Sequence, residues 1–172
     1  TGSTNVAANS NVAAIDLDVD GTSVVTATAG SVTLGSVTDT GAIAEFEVNA
    51  GTDITLNGVA LDNATGAPAR LLDLNVGTAG GAADTLTLSD NTDVAVGSIT
   101  IDGAAGGGAD SLSIGANADL RADNGAITVA NIGEIDLAAA GANVIDASGS
   151  VTLVAVTDTG AITDLDIVAG TT

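Results

Sequence analysis

The chain contains no cysteine, methionine, tryptophan, tyrosine or histidine, one phenylalanine (Phe46) and one proline (Pro68). Its only basic residues are Arg70 and Arg121. Each shortage excludes something. Without cysteine there are no disulfides, and oxidation state says nothing about compartment. Without histidine, cysteine, lysine or tyrosine there is no usual nucleophile–base pair and no soft metal site. Paired carboxylates could in principle serve glycoside hydrolysis, but grooves for sugars usually carry aromatic platforms, so we expect no enzyme. Two arginines cannot displace the counterions of a nucleic acid or hold an anionic membrane surface. No apolar run approaches the roughly 18 residues of a membrane span, and no basic segment precedes an apolar one. The first residue is Thr1 rather than Met, which leads us to expect a processed product or an excised piece, with any export signal outside it.

What is present is acidic and aliphatic. Against the two arginines stand 22 acidic residues, for a net charge of −20. Such a chain is soluble in a crowded or salty exterior and has cations as its natural partners. Val, Ile, Leu and Phe supply 45 of the 172 residues, above the roughly 20% at which a highly charged chain is read as disordered. A single folded domain spanning 1–172 is expected, with a core of small branched side chains and alanine.

Apolar and polar residues alternate with period two. IDLDV (15–19), SVTL (31–34), AEFEV (44–48), DITL (53–56), LDLNV (72–76), TLTL (85–88), SITI (98–101), SLSI (111–114), AITV (126–129), EIDL (134–137), SVTL (150–153) and TDLDI (163–167) all do so. Each places one face in a core and one in water, the signature of a strand. No stretch keeps helical spacing. Gly, Asn and Asp punctuate these short strands, as a sandwich, a barrel or a β-solenoid would require. The strand cores are nearly interchangeable and the aromatic mass of a sandwich core is missing. The sequence therefore predicts an all-β parallel β-helix, with an antiparallel β-sandwich as the alternative.

The chain also repeats itself. SVTLGSVTDTGAIAEFEVNAGT (31–52) and SVTLVAVTDTGAITDLDIVAGT (150–171) agree at 14 of 22 positions, 119 residues apart. Ile15-Asp16-Leu17 and Ile135-Asp136-Leu137 extend the match upstream. The repeat unit is near 120 residues, with copies around 15–52 and 135–171. At a typical 20–24 residues per coil, the copies should lie five or six coils apart. NATGAPAR (63–70) reads as a loop leaving the coil, and Asn63-Ala64-Thr65 within it is an N-glycosylation sequon. Arg70 and Arg121 are expected to make local ion pairs on the acidic surface.

One group of aspartates has the spacing of candidate metal ligands. DLDVDG (16–21) has the opening of a calcium loop, Asp16, Asp18 and Asp20 followed by Gly21, but Ala27 stands where the twelfth-position carboxylate belongs. The same residues also read as an alternating strand with its acids outward. Asp84 and Asp110 each enter a strand after what reads as an ordinary glycine-rich turn. Acidic residues also recur on outward strand faces, at Asp16/Asp18, Glu45/Glu47, Asp73 and Asp164/Asp166. Stacked in register about 4.8 Å apart, like charges repel by roughly 0.8 kcal/mol per pair in water. The ladders must be staggered, or bridged by a hard cation with oxygen ligands, for which Ca²⁺ is suited. Thr-x-Thr pairs (26/28, 38/40, 85/87, 157/159) are too irregular for a flat ice-binding array.

ASGSVTLVAVTDTGAIT (147–163) and ADNGAITVANIGEIDLAAAG (122–141) resemble the repeat regions of large bacterial surface proteins of the filamentous-haemagglutinin type. The resemblance covers most of 13–171 and lies in composition and rhythm. It implies a right-handed parallel β-helix in an exported, extracellular, fibrous or adhesive protein. AGGGADSLSI (105–114), with Gly106, Gly108, Asp110 and Leu112, and GGAADTLTL (80–88), with Asp84 and Leu86, are similar to calcium-binding RTX repeats. That likeness implies a calcium site at Asp84 or Asp110.

The expectation is thus an extracellular structural repeat protein of the cell surface. It would be a calcium-stabilised subunit or segment of a fibre, sheath or surface layer (S-layer), self-associating head to tail. The alternative is an adhesin module that binds surface glycans or other cell-surface proteins. Neither reading involves nucleic acid or membrane insertion.

Overall fold

The computed structural model describes residues 5–7, 11–12, 15–17, 20–40, 42–61, 70–103 and 110–170. Asp18, Gly106, Gly108, Pro68 and the sequon at Asn63 lie outside the described residues. Within them the chain is all β, without helix, and winds as a parallel β-solenoid of about six turns.

Strands are numbered in chain order. The first sheet stacks β1 (Asn5–Ala7), β4 (Gly21–Ala27), β7 (Ile43–Ala50), β10 (Leu71–Val76), β13 (Ser98–Gly103), β16 (Ile127–Ala130) and β19 (Val151–Thr152). The second stacks β2 (Asn11–Val12), β5 (Val32–Leu34), β8 (Ile54–Leu56), β11 (Thr85–Leu88), β14 (Ser111–Ile114), β17 (Glu134–Leu137) and β20 (Val156–Asp158). The third stacks β3 (Ile15–Leu17), β6 (Val37–Asp39), β9 (Val59–Ala60), β12 (Asp93–Val96), β15 (Asp119–Ala122), β18 (Ala142–Ala147) and β21 (Asp164–Ala169). Every neighbour pair is parallel, which excludes the antiparallel sandwich.

The interchangeable triplets have a direct cause. Parallel register puts like positions over one another, so each inward position becomes a column. Leu34, Leu56, Leu88, Ile114 and Leu137 form one such column in the second sheet. Val25, Val48, Leu74, Ile101 and Val129 form another in the first. These side chains are essentially inaccessible to water, and each contributes about 1.5–3 kcal/mol of burial. Phe46 fills its column above Ser23 and below Leu72. Its alternation with Ile43 is broken by one residue, and a register shift at Gly21/Thr22 absorbs the extra Ala44 as a bulge, so both Ile43 and Phe46 face inward.

The near-copies fall on different sheets. Residues 31–52 supply β5, β6 and β7 to the second, third and first sheets, whereas 150–171 supply β19, β20 and β21 to the first, second and third. The second copy therefore lies fourteen strands on, four and two-thirds circuits, rather than five or six coils. It is rotated by one face. Local pairing is nevertheless retained: Ile15-Asp16-Leu17 pairs with Val37-Thr38-Asp39, and Ile135-Asp136-Leu137 with Val156-Thr157-Asp158, position for position. Gly51 and Gly170 also correspond. A Cβ on Gly51 would lie 2.6 Å from the Thr28 carbonyl oxygen of the coil below, and one on Gly170 would meet Ser148 in the same way.

Candidate functional site

The aspartates singled out by the sequence separate in the fold. Asp16 stands exposed on β3 opposite Thr38, and Asp20 uses Oδ1 to accept the Ala42 N–H at 2.9 Å. Ala27, at the twelfth position of the supposed calcium loop, is a buried core residue at the end of β4. Asp16 and Leu17 thus belong to a strand, Asp20 to a bend and residues 21–27 to the next strand. No group of three or more acidic side chains arranged to hold a metal occurs among the described residues.

Asp84 and Asp110 do come together. Thr85 pairs with Ser111, so the aspartates just before them occupy adjacent coils at one corner between the first and second sheets. Continuing the inward alternation of Leu86 and Leu112, both carboxylates point into the corner, and they are 6% and 1% exposed. The Asp84 N–H donates to Asp110 Oδ1 at 3.0 Å, while Asp110 Oδ2 is buried with no hydrogen-bond partner. The room they occupy is left by glycine. A Cβ on Gly77 (φ +72°) would stand 2.9 Å from Asp110 Oδ2 and 3.1 Å from Asp84 Oδ2. One on Gly103 would stand 3.0 Å from Asp110 Oδ2 and closer still to the Asn131 carbonyl oxygen. Burial, then the neighbouring Asp110 and Asp53 carboxylates, push the Asp84 pKa above the usual carboxylate range. Two stacked carboxylates here call for a proton or a cation between them.

The outward acids are mostly staggered. Asp16 faces Thr38, Asp136 lies between Ser113 and Thr157, and Asp164 and Asp166 lie over Ala142 and Val144. On the outer faces like charges stack at Glu47/Asp73 and at Asp93/Asp119. Burial foremost pushes the Asp73 pKa up, a hydrogen bond from Asn75 opposes this, and Glu47, Glu45 and Asp102 add to the rise.

Several acids do work that the sequence did not announce. Asp53, Asp90, Asp119 and Asp136 accept backbone N–H groups of Thr85, Ala116, Val144 and Thr159 in the next coil, at 2.8–3.2 Å. These are charge-assisted staples between coils, from Asp53, Asp90 and Asp119 at or beside strand ends and from Asp136 within β17. For Asp53, Asp90 and Asp119 the chain signal was an Asp at or beside a strand boundary, readable only once coil length is known. Asn49, Asn75, Asp102 and Asn131 line a cleft of about 190 Å³ with Val76, Thr78 and Gly103 at the edge of the first sheet. Within it Asn75 donates to Asn49 at 3.0 Å and Asn131 to Asp102 at 2.7 Å.

The arginines part company. Arg121 pairs with Asp119 at 2.6 Å on the surface, as expected of a local partner. Arg70 instead is 4% exposed and pairs with Asp39, 31 residues back and itself 4% exposed. A local surface pair was expected, and a buried pair between successive coils is found. Local sequence hid it because Asp39 belongs to another sheet and coil.

The last described coil is covered on one side only. β19, β20 and β21 are the outermost strands of their sheets. Val151, Leu153, Val154, Ile162 and Leu165 are only partly covered, and Val156, Ile167 and Val168 are exposed. Three strand edges and an aliphatic floor are thus presented together.

Against known proteins, no family model, no curated protein and no solved structure matches the chain. The class that the fold defines is the parallel β-solenoid, built of stacked coils around an aliphatic interior.

Proposed function

We propose that the chain is a structural repeat segment of an extracellular, cell-surface fibre, sheath or layer, extended by stacking coil on coil at its ends. The observation that carries this reading is that a near-copy set one face round keeps its pairing position for position, so like coils stack on like coils. Coils that pair in this way, within a chain or between copies, extend without closing and build a filament. The acidity keeps the lateral faces soluble and apart. No catalytic role is assigned.

Calcium is part of the proposal. The orphaned Asp110 Oδ2, the facing Asp84 carboxylate, the Asn131 carbonyl and the glycine-lined space fit a hard cation with oxygen ligands. Bound there, it would neutralise the stacked carboxylates, while Asp84 and Asp110 hold it between successive coils. A second reading, an adhesin module, draws on the Asn/Asp-lined cleft, whose amide and carboxylate groups suit a polar ligand such as a surface glycan.

Electron microscopy of the purified chain at rising concentration tests the structural reading. Rods of constant width are expected. Isolated particles of one size that acquire a partner only when a glycan or second protein is added would overturn it in favour of the adhesin.

A further inference from the structure

We propose that the open end formed by β19–β21 is built to receive a coil carrying an inward arginine over Asp158. The inference rests on the stacking reading above and specifies the partner's chemistry.

Asp39 and Asp158 are the same residue of the two near-copies, and both pair with the leucine of an Ile-Asp-Leu strand, Leu17 and Leu137 respectively. Each stands at an inward position. Asp39 has Leu17 on one side, and on the other the register that pairs Thr38 with Ala60 brings Leu61. Asp158 tops the column of Leu34, Leu56, Leu88, Ile114 and Leu137. A carboxylate on an aliphatic column is costly to bury unless a counter-charge enters with it. For Asp39 that counter-charge is Arg70, delivered at the same corner by the coil above. Above Asp158 no further coil is found among the described residues. There the carboxylate is exposed and its Oδ1 accepts only the nearby Ile162 N–H at 3.2 Å.

This separates two occupants by charge. Residues 1–50 contain no lysine or arginine, so the leading coils of a second copy would cover Asp158 without pairing it. A coil of the kind that carries β8, β9 and β10, with Leu61 after its third-sheet strand and Arg70 before its first-sheet strand, supplies the guanidinium. Self-stacking of this chain alone is therefore the weaker association, and Asp158→Asn strengthens it.

The test extends the full chain beyond Thr172 with a second copy of residues 53–77, once unaltered and once with its one arginine replaced by glutamine. Amide hydrogen exchange is then followed in β20 and β21. The arginine extension is expected to slow exchange there roughly a hundredfold more than the glutamine extension, the effect of breaking a buried pair. Asp158→Asn is expected to erase that difference. Equal protection by both extensions overturns the charge match and leaves coil addition standing. No protection from either overturns both. A difference that persists in Asp158→Asn assigns the arginine to another partner and overturns the inference.

Discussion

At Asp84 and Asp110 two carboxylates are held one coil apart with one oxygen unpartnered, and the consequence is a pH dependence with a definite sign. A folded-state pKa raised above the unfolded value means that the native chain holds more protons than the unfolded one from about pH 3.9 up to the raised value. The stability associated with protonated Asp84 is fully present below about pH 3.9 and is lost as pH rises through the folded pKa. Urea unfolding at pH 4, 5.5 and 7 should show that slope, and Asp84→Asn should flatten it and raise the melting temperature at pH 7. Calcium should flatten it too, by replacing the proton, and a chelator should restore it; a melting temperature indifferent to chelator would remove calcium from the account. The buried Arg70–Asp39 pair makes a separate prediction. Arg70→Gln should cost about 3–5 kcal/mol by stranding Asp39, whereas Arg121→Gln, removing an exposed partner, should cost about 0–1 kcal/mol. Asp84 and Asp110 were each legible as an Asp entering a strand after glycine, but their meeting was not, because it is set by the length of the coil between them. The pairing of Arg70 with Asp39 was not, since nothing local fixes which residue lies one coil below.

Strands of the first two sheets were readable where triplets such as Leu-Thr-Leu or Ile-Thr-Ile alternate cleanly. Most of the third sheet was not. Its middle strands, Val37–Asp39, Val59–Ala60, Asp93–Val96, Asp119–Ala122 and Ala142–Ala147, are short or carry Asp, Asn and Ala in place of a full apolar beat. They are strands because coils above and below impose pairing, a tertiary demand that overrides weak local preference. Corners hide in the same way: Asn91 and Asn117 hold left-handed backbones with φ of 58° and 54°, and the Asn117 amide donates to Asn91 Oδ1 at 3.3 Å. Element-level stability should therefore follow columns rather than single strands. Leu88→Ala, in the middle of a filled column, should cost about 2–5 kcal/mol. Gly51→Ala, which drives a methyl into the backbone of the coil below, should destabilise as well, with denaturant midpoints as the readout for both.

For the whole molecule, the near-copy was visible in the sequence but its rotation was not. Residue count alone suggested whole coils, and only the strand count places the second copy one face round. That rotation shows that the three faces offer nearly equivalent environments, since the same residues fit any of them when the pairing beneath is kept. It also explains why the exposed β19–β21 edge resembles an interior one, on which coil-on-coil growth depends. Sedimentation velocity of the chain and of Asp158→Asn across a concentration series, with electron microscopy of the same samples, tests this most directly. The account predicts rods of fixed width that lengthen with concentration, and more so in Asp158→Asn. Both proteins remaining as single particles of unchanging size would contradict it.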